Sequence, residues 1–229
     1  VCAIYTDALS ALPRGAELRA VTATSTTTSG RKALSVELTE TATAGTPGIN
    51  YIDQPTFVLL AEEFVTGVID IDVHAGLRED APEYARAFAG IAYHVTDESF
   101  EAFYIRPLNG VSLNPTKPRA QRAFQYFAYP QWPFNRLREE RPDSGYEGEA
   151  DIRPNEWCHL RLEIGRSTLR VWINEAEVVD LARTLIAPRS GRIGLWVDIG
   201  TRAAFANLRI APYGAIGLTA PERLTPDPC

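Results

Sequence analysis

The stretch Thr66-Gly-Val-Ile-Asp-Ile-Asp-Val-His74 decides how this chain is to be read. Ile69, Ile71 and Val73 alternate with Asp70 and Asp72. Successive side chains of a β-strand point to opposite faces, so the two aspartates share one face and the three aliphatic residues the other. A helix would scatter the same residues around its axis. The segment reads as a strand with one face in a core and the other bearing charge.

The same period of two extends outward. Leu160, Leu162 and Ile164 alternate with Arg161 and Glu163, and Leu169, Val171 and Ile173 alternate with Arg170, Trp172 and Asn174. Further strands are expected over residues 18–24, 33–39, 56–60, 88–95, 100–106, 122–129, 192–198 and 203–210. About eleven short strands, separated by Gly, Pro, Asn and Asp clusters, point to an all-β antiparallel sandwich of the jelly-roll kind. Helical pattern is confined to 135–140 and 178–185, a turn or two each. Strands do not alternate with long helices, which excludes a doubly wound or barrel α/β architecture. One domain over 1–211 and a Pro-rich extension over 212–229 account for the chain.

Composition narrows the function classes. The 229 residues are 45% hydrophobic and 23% charged, ordinary for a globular protein. A net charge of −6 disfavours general nucleic-acid or anionic-membrane binding. No apolar run approaches the roughly 20 residues of a membrane helix. Of the 23 basic residues, all but Lys32 and Lys117 are arginine. Cys2, Cys158 and Cys229 form neither a metal cluster nor a disulfide framework; Cys2 and Cys229 could pair if the termini meet, and Cys158 reads as a buried thiol. His74, His94 and His159 lack metal-ligand spacing, so no metal is expected. No phosphate-cradling loop, nucleophile elbow or dinucleotide fingerprint is present, so no cofactor is expected. Compartment and oligomeric state have no signature.

An ordered succession of segments resembles a bacterial family. They are Ala81-Pro-Glu-Tyr through Tyr93-His-Val95, Phe100-Glu-Ala-Phe-Tyr-Ile-Arg-Pro-Leu-Asn-Gly110, Gln125-Tyr126, Tyr129-Pro130, Arg136-Leu-Arg-Glu-Glu140, Pro154-Asn-Glu-Trp157, Gly191-Arg-Ile-Gly-Leu-Trp-Val-Asp-Ile-Gly-Thr201 and Phe205-Ala-Asn-Leu208. Over roughly 50–211 the chain resembles the domain of unknown function labelled 3-keto-disaccharide hydrolase, within the concanavalin A-like lectin/glucanase group and its laminin-G-like relatives. The resemblance implies a lectin-like jelly roll, a carbohydrate ligand and, for an enzyme, glycoside cleavage. It departs at His94, more often arginine in the family, and at Val111-Ser-Leu-Asn114, where arginine and aspartate are common.

Several residues could carry chemistry. Tyr104 and Arg106 share a strand face and lead into Asn109. An arginine fork beside a tyrosine suits a sugar or a carboxylate, and a structural arginine bridging strand and loop is the plainer alternative. Gln125, Phe127 and Tyr129 alternate with Phe124, Tyr126 and Ala128, so this strand is covered on both faces or lines a cleft on one. The long connections 107–121 and 130–156 stand out, and the second, with Trp132, Phe134 and Tyr146, is too aromatic for a simple linker. In it Arg136, Arg138 and Arg141 alternate with Glu139 and Glu140 as in a salt-bridged surface, Arg136 being a ligand candidate. Glu147, Glu149 and Asp151 alternate like glycosidase carboxylates, or like a solvated acidic edge. Asp70 and Asp72 form a similar pair. Trp172 is a candidate stacking surface, or a tryptophan beneath a loop.

The expected site is therefore a cleft of Tyr104, Arg106, Asn109, Gln125, Tyr129, Arg136 and Trp172, with His94 and Glu147 as acid/base candidates. His94 is expected on the face of Ala92, where it would titrate near neutral pH. The expected ligand is a carbohydrate or other small molecule. Two other readings keep the fold: a lyase, isomerase or cyclase on a less polar molecule, which needs an apolar cleft, and a non-catalytic interaction module, which needs a flat surface.

Overall fold

The computed structural model describes residues 3–217. The strands are β1 (Tyr5–Asp7), β2 (Glu17–Arg19), β3 (Val21–Thr28), β4 (Arg31–Leu38), β5 (Phe57–Phe64), β6 (Gly67–Leu77), β7 (Ala89–Val95), β8 (Phe100–Ile105), β9 (Phe124–Tyr129), β10 (Glu147–Gly148), β11 (Trp157–Ile164), β12 (Leu169–Ile173), β13 (Ala176–Leu181), β14 (Gly191–Val197) and β15 (Thr201–Pro212). Two short helices, α1 (Glu40–Thr43) and α2 (Phe134–Glu140), lie in the connections. Eight strands form one sheet in the order β13-β12-β11-β6-β15-β4-β3, with β1 added on β15. Seven form the other, β10-β9-β8-β7-β14-β5-β2. All the strand pairings are antiparallel, and the protein is a β-sandwich.

The period-two reading of β6 holds residue by residue. Ile69, Ile71 and Val73 are buried between the sheets, with Leu160, Leu162 and Val171 beside them on β11 and β12. Burying each such side chain stabilises the fold by about 1.5–3 kcal/mol. Asp70 and Asp72 face outward into an ionic lattice with Arg31, Arg161, Arg209 and His159, not into open water. Cys158 is buried, and burial pushes its thiol up to about 12, in keeping with an inert core thiol. Cys2 and Cys229 lie outside the described residues, as does 218–229 of the Pro-rich extension.

Two local expectations change. Residues 178–185 are not helical: Val179 and Leu181 are buried while Val178 and Asp180 are not, and β13 pairs with β12. The expected strand over 18–24 is two strands in different sheets, β2 beside β5 and β3 beside β4. The chain switches sheets at Ala20, whose φ of 56° breaks the extended run. Among the described residues no helix is long and apolar enough to cross a membrane.

The smaller sheet is covered on both sides. Its inner residues, among them Ile91, Tyr93, Phe103, Ile105 and Tyr126, join the core between the sheets. Its outer residues, among them Ala92, Phe100, Tyr104, Phe127 and Trp196, make a second apolar layer under Leu137 of α2. The segment 130–147 is thus a roof over the outer face of this sheet, and the candidate site lies at its edge.

Candidate functional site

The floor is built where three strands lie side by side. Tyr104 on β8 pairs with Gly90 on β7, which pairs in turn with Trp196 on β14. Because Gly90 carries no side chain, the Tyr104 and Trp196 rings meet across it with centroids 4.7 Å apart. A Cβ at Gly90 would come within 2.5 Å of the Tyr104 Cα, so glycine is required there by close approach. Trp196 then donates from Nε1 to the Gln54 carbonyl at 2.9 Å and pins the 52–54 loop to the sheet.

That loop is held by a second anchor. Asp198, just past β14, accepts from the backbone of Ile52 (2.9 Å), Asp53 (3.1 Å) and Ile199 (2.7 Å). Burial raises the Asp198 carboxyl, and these three donors work against it. They also stabilise the left-handed backbone at Ile52 and Asp53, with φ of 67° and 56°. Asp53 accepts from the Phe134 N–H at 2.6 Å and so satisfies a free donor in the first turn of α2. Burial pushes the Asp53 carboxyl up to about 7, with the Phe134 donor opposing it. Its other oxygen, Oδ1, is buried without a donor.

A cavity of about 320 Å³ opens between these elements. Ile52, Asp53 and Asp198 form one wall, Tyr84, Arg86 and Phe88 another, and Tyr104, Arg106 and Asn109 the floor. Arg119, Arg122, Phe134 and Arg138 close it. Arg106 is 4% exposed and donates to the Tyr104 hydroxyl (2.7 Å), Gln125 Oε1 (3.1 Å) and Glu147 Oε2 (3.1 Å). Asn109 donates from Nδ2 to the Arg122 carbonyl at 2.8 Å, and its Oδ1 is a second buried oxygen without a donor.

Glu147 is the hub of the arginine cluster. Arg138 donates to it from Nε (2.8 Å) and Nη2 (2.6 Å), Arg106 from Nη1, and the Arg122 Nε lies 3.4 Å away. Burial alone would raise the Glu147 carboxyl, but the Arg138 and Arg106 donors and charges outweigh it and hold it below its ordinary range. It is a locked anion, suited to fixing arginines rather than to delivering a proton at neutral pH. Glu149 and Asp151 are exposed.

The structure brings Tyr104, Arg106 and Asn109 to one cavity, with Gln125 and Glu147 directly behind Arg106. Tyr129 lines a neighbouring hollow with Asp53 and Phe134, and stacks on Phe100 at 5.0 Å. Arg136 lies outside the cavity, its guanidinium over Trp132 (4.4 Å) and bonded to Glu140 at 2.8 Å. Trp172 belongs to the other sheet, under the Arg170 guanidinium.

His94 does not share the face of Ala92. Its φ of 53° and a register shift between β7 and β14 insert a bulge, after which Val95 rejoins Ala92 in the outer layer. The His94 ring turns inward, with Nδ1 2.9 Å from Glu101 Oε2 and Nε2 2.6 Å from the Val65 carbonyl. Glu101 in turn accepts from the Tyr126 hydroxyl. The group is sealed, His94 at 2% exposed and Glu101 at 1%, and neither lines the cavity.

Arg86, Phe88, Arg119, Arg122, Asp53 and Asp198 were not expected at the site. Each arrives from a loop or strand end, where side-chain direction has no period to read. The signal was indirect: Asp53 precedes the strand-pattern segment 56–60, Asp198 ends 192–198, and Phe88 and Arg122 begin 88–95 and 122–129.

No protein-family model and no curated protein matches the chain. Solved structures do match by fold. A carbohydrate-binding module, CBM66, from Bacillus subtilis aligns over 85% of this chain and 97% of its own, with a TM-score of 0.51 and 12% identity. A protein of unknown function with a galectin-like fold, also from Bacillus subtilis, aligns over 91% and 96%, with a TM-score of 0.54 and 9% identity. A Crh5 transglycosylase in complex with NAG aligns over 92% and 84%, with a TM-score of 0.50 and 10% identity. At such identities the likeness establishes the fold alone, a jelly-roll β-sandwich.

Proposed function

We propose that this chain binds carbohydrate in the cavity between the 52–54 loop, the floor of β8 and the start of α2. The observation that carries the reading is the pair of buried acceptors without donors, Asp53 Oδ1 and Asn109 Oδ1, in residues that line the same cavity. A buried oxygen left unpaired costs about 1–3 kcal/mol, so a ligand hydroxyl that reaches either oxygen on binding gains an acceptor that the protein leaves unused. Tyr84 and Phe88 offer the flat apolar surfaces on which the C–H face of a sugar ring packs, while the Phe134 ring lies under the Arg138 guanidinium at 4.7 Å. The volume sits at the lower end of the about 300–1,000 Å³ of small-molecule sites, which suits one or two rings. Fold neighbours that include a carbohydrate-binding module agree with this reading. A lining with five arginines argues against the less polar ligand of a cyclase or lyase, and a concave site argues against a flat interaction module.

Glycoside cleavage is the second reading, and Asp53 favours it. Its carboxyl, pushed to about 7, is poised to exchange a proton inside the cavity. In this reading Glu147 positions Arg106 and Arg138, and His94 supports the sheet.

Titration calorimetry with a panel of mono- and oligosaccharides tests the proposal. Binding should weaken at least about tenfold in Asn109→Ala, which removes one unpaired acceptor and the Arg122 carbonyl contact. Saccharide binding that survives both Asn109→Ala and Asp53→Asn unchanged would move the ligand out of this cavity. Release of reducing ends, abolished by Asp53→Asn, would establish cleavage.

A further inference from the structure

The chain as a whole is acidic, with 29 Asp and Glu against 23 Lys and Arg. The cavity inverts that balance: Arg86, Arg106, Arg119, Arg122 and Arg138 line it, with Asp53 and Asp198 as the carboxylates of its wall. Three of the five, Arg106, Arg122 and Arg138, are neutralised in part by Glu147. The other two have no such partner. Arg86 donates through Nη1 to the carbonyls of Glu83 and Ala85, both at 2.6 Å. Arg119 is exposed and, among the described residues, makes no ion pair.

Both of these arginines line the same cavity, and among the described residues neither has a carboxylate in an ion pair. Burial, and then the charge of Arg119, lowers the Arg86 pKa. Burial and the charge of Arg138 do the same to Arg122. Like charges gathered at a concave site, offset only in part by the nearby carboxylates, are costly until an anion arrives between them. Guanidiniums are planar forks that match a carboxylate or sulfate with paired donors. Arg86 has its Nη1 on the chain, which leaves the rest of its fork for such a group.

Building on the carbohydrate reading above, we infer that the ligand is an anionic saccharide, its carboxylate or sulfate gripped by Arg86 and Arg119 and its hydroxyls by Asp53 and Asn109. The division of labour is physical. The anionic group meets the charge that the protein leaves unpaired, and the neutral ring meets the unpaired oxygens and the aromatic walls. A neutral sugar would satisfy only the second set.

The test is calorimetry on matched sugars at one low, fixed ionic strength: galactose, galacturonate and galactose 6-sulfate, their glucose counterparts, short oligomers of each, and inorganic sulfate alone. The expected result is binding of the acidic members at least about tenfold tighter than the neutral ones, the worth of one charge-assisted hydrogen bond. Arg119→Gln should reduce that preference several-fold, lowering acidic-sugar affinity more than neutral-sugar affinity, with an unchanged thermal midpoint because Arg119 is exposed. Whether uronate or sulfate binds tighter identifies the anionic group, and either preference supports the inference. Equal affinity for neutral and acidic sugars, indifferent to Arg119→Gln, overturns the anionic assignment and leaves the carbohydrate reading intact. Inorganic sulfate binding as tightly as every acidic sugar, with no gain from the ring, overturns the saccharide itself. No binding by any probe overturns both.

Discussion

Replacing Glu147 by glutamine should separate stability from binding. The carboxylate accepts from Arg138 at 2.6 and 2.8 Å and from Arg106 at 3.1 Å, with Arg122 at 3.4 Å. Two charge-assisted partners are worth about 1.5–3 kcal/mol each. The Glu147 side chain is 21% exposed and Arg106 keeps Tyr104 and Gln125, so the sum must be reduced. We expect a loss of about 3 kcal/mol, close to the lower figure for breaking a buried ion pair. For a domain of this size that lowers the melting midpoint by about 6–12 °C. Urea unfolding at pH 7 should show the loss as a lower midpoint with an unchanged slope.

The pH dependence carries the sign. The folded Glu147 pKa lies below the ordinary 4.5 of the unfolded chain, so its contribution is present above about 4.5 and disappears as pH falls through the folded value. Wild type and variant should therefore converge in acid. Because the change also releases Arg122 and Arg138 from their counter-charge, an acidic saccharide should bind the variant several-fold tighter. A stability change below about 0.5 kcal/mol at pH 7, or a gap that persists in acid, would refute the account of Glu147 as the clamp of the cluster.

Three other outcomes are expected. Glu101→Gln, by disturbing the sealed contacts to His94 and Tyr126, should cost about 3 kcal/mol in urea unfolding and leave saccharide affinity unchanged, since neither Glu101 nor His94 lines the cavity. Asp53 has its folded pKa raised to about 7 from 3.8, so the wild type should lose about 2–4 kcal/mol as pH rises through that interval; Asp53→Asn should flatten the slope between pH 4 and pH 8. His159, raised to about 9 from 6.5 by its bonds to Asp70 and Asp72, stabilises the fold fully below pH 6.5 and progressively less as pH passes 9. The ring is half-exposed, so solvent screening reduces its worth to about 1 kcal/mol, read as a shallow fall in midpoint that His159→Ala abolishes.

The fold was legible because it rests on alternation. Residues 69–73 and 160–164 show their faces in sequence, and the structure agrees at every one of them. Alternation fails where the backbone leaves the extended region. A single left-handed residue moved His94 from the cavity face to the interior, and another, Ala20, split one expected strand between two sheets. The floor of the site was legible for the same reason as the fold, since Tyr104 and Arg106 continue the period of β8. Its walls were not. Asp53 and Arg86 stand on loops and Arg119 on a short 3-10 turn, and Asp198 acts through three backbone donors that no pattern of side chains announces. Glu147 was visible as one of three alternating acids, yet what distinguishes it from Glu149 and Asp151 is the arginines that the fold brings to it.

The cavity walls come from segments near residues 52, 86, 106, 121, 136 and 198, stretches spread over most of the chain. Any one of these segments presents only a small part of that surface, so a ligand has almost nothing to hold until the whole sandwich has assembled. Occupancy is then linked to global unfolding: a ligand at a hundred times its dissociation constant adds about 2.7 kcal/mol, or about 5–11 °C. Melting curves collected against a chemically diverse library would therefore find the physiological ligand with no assumption about its class.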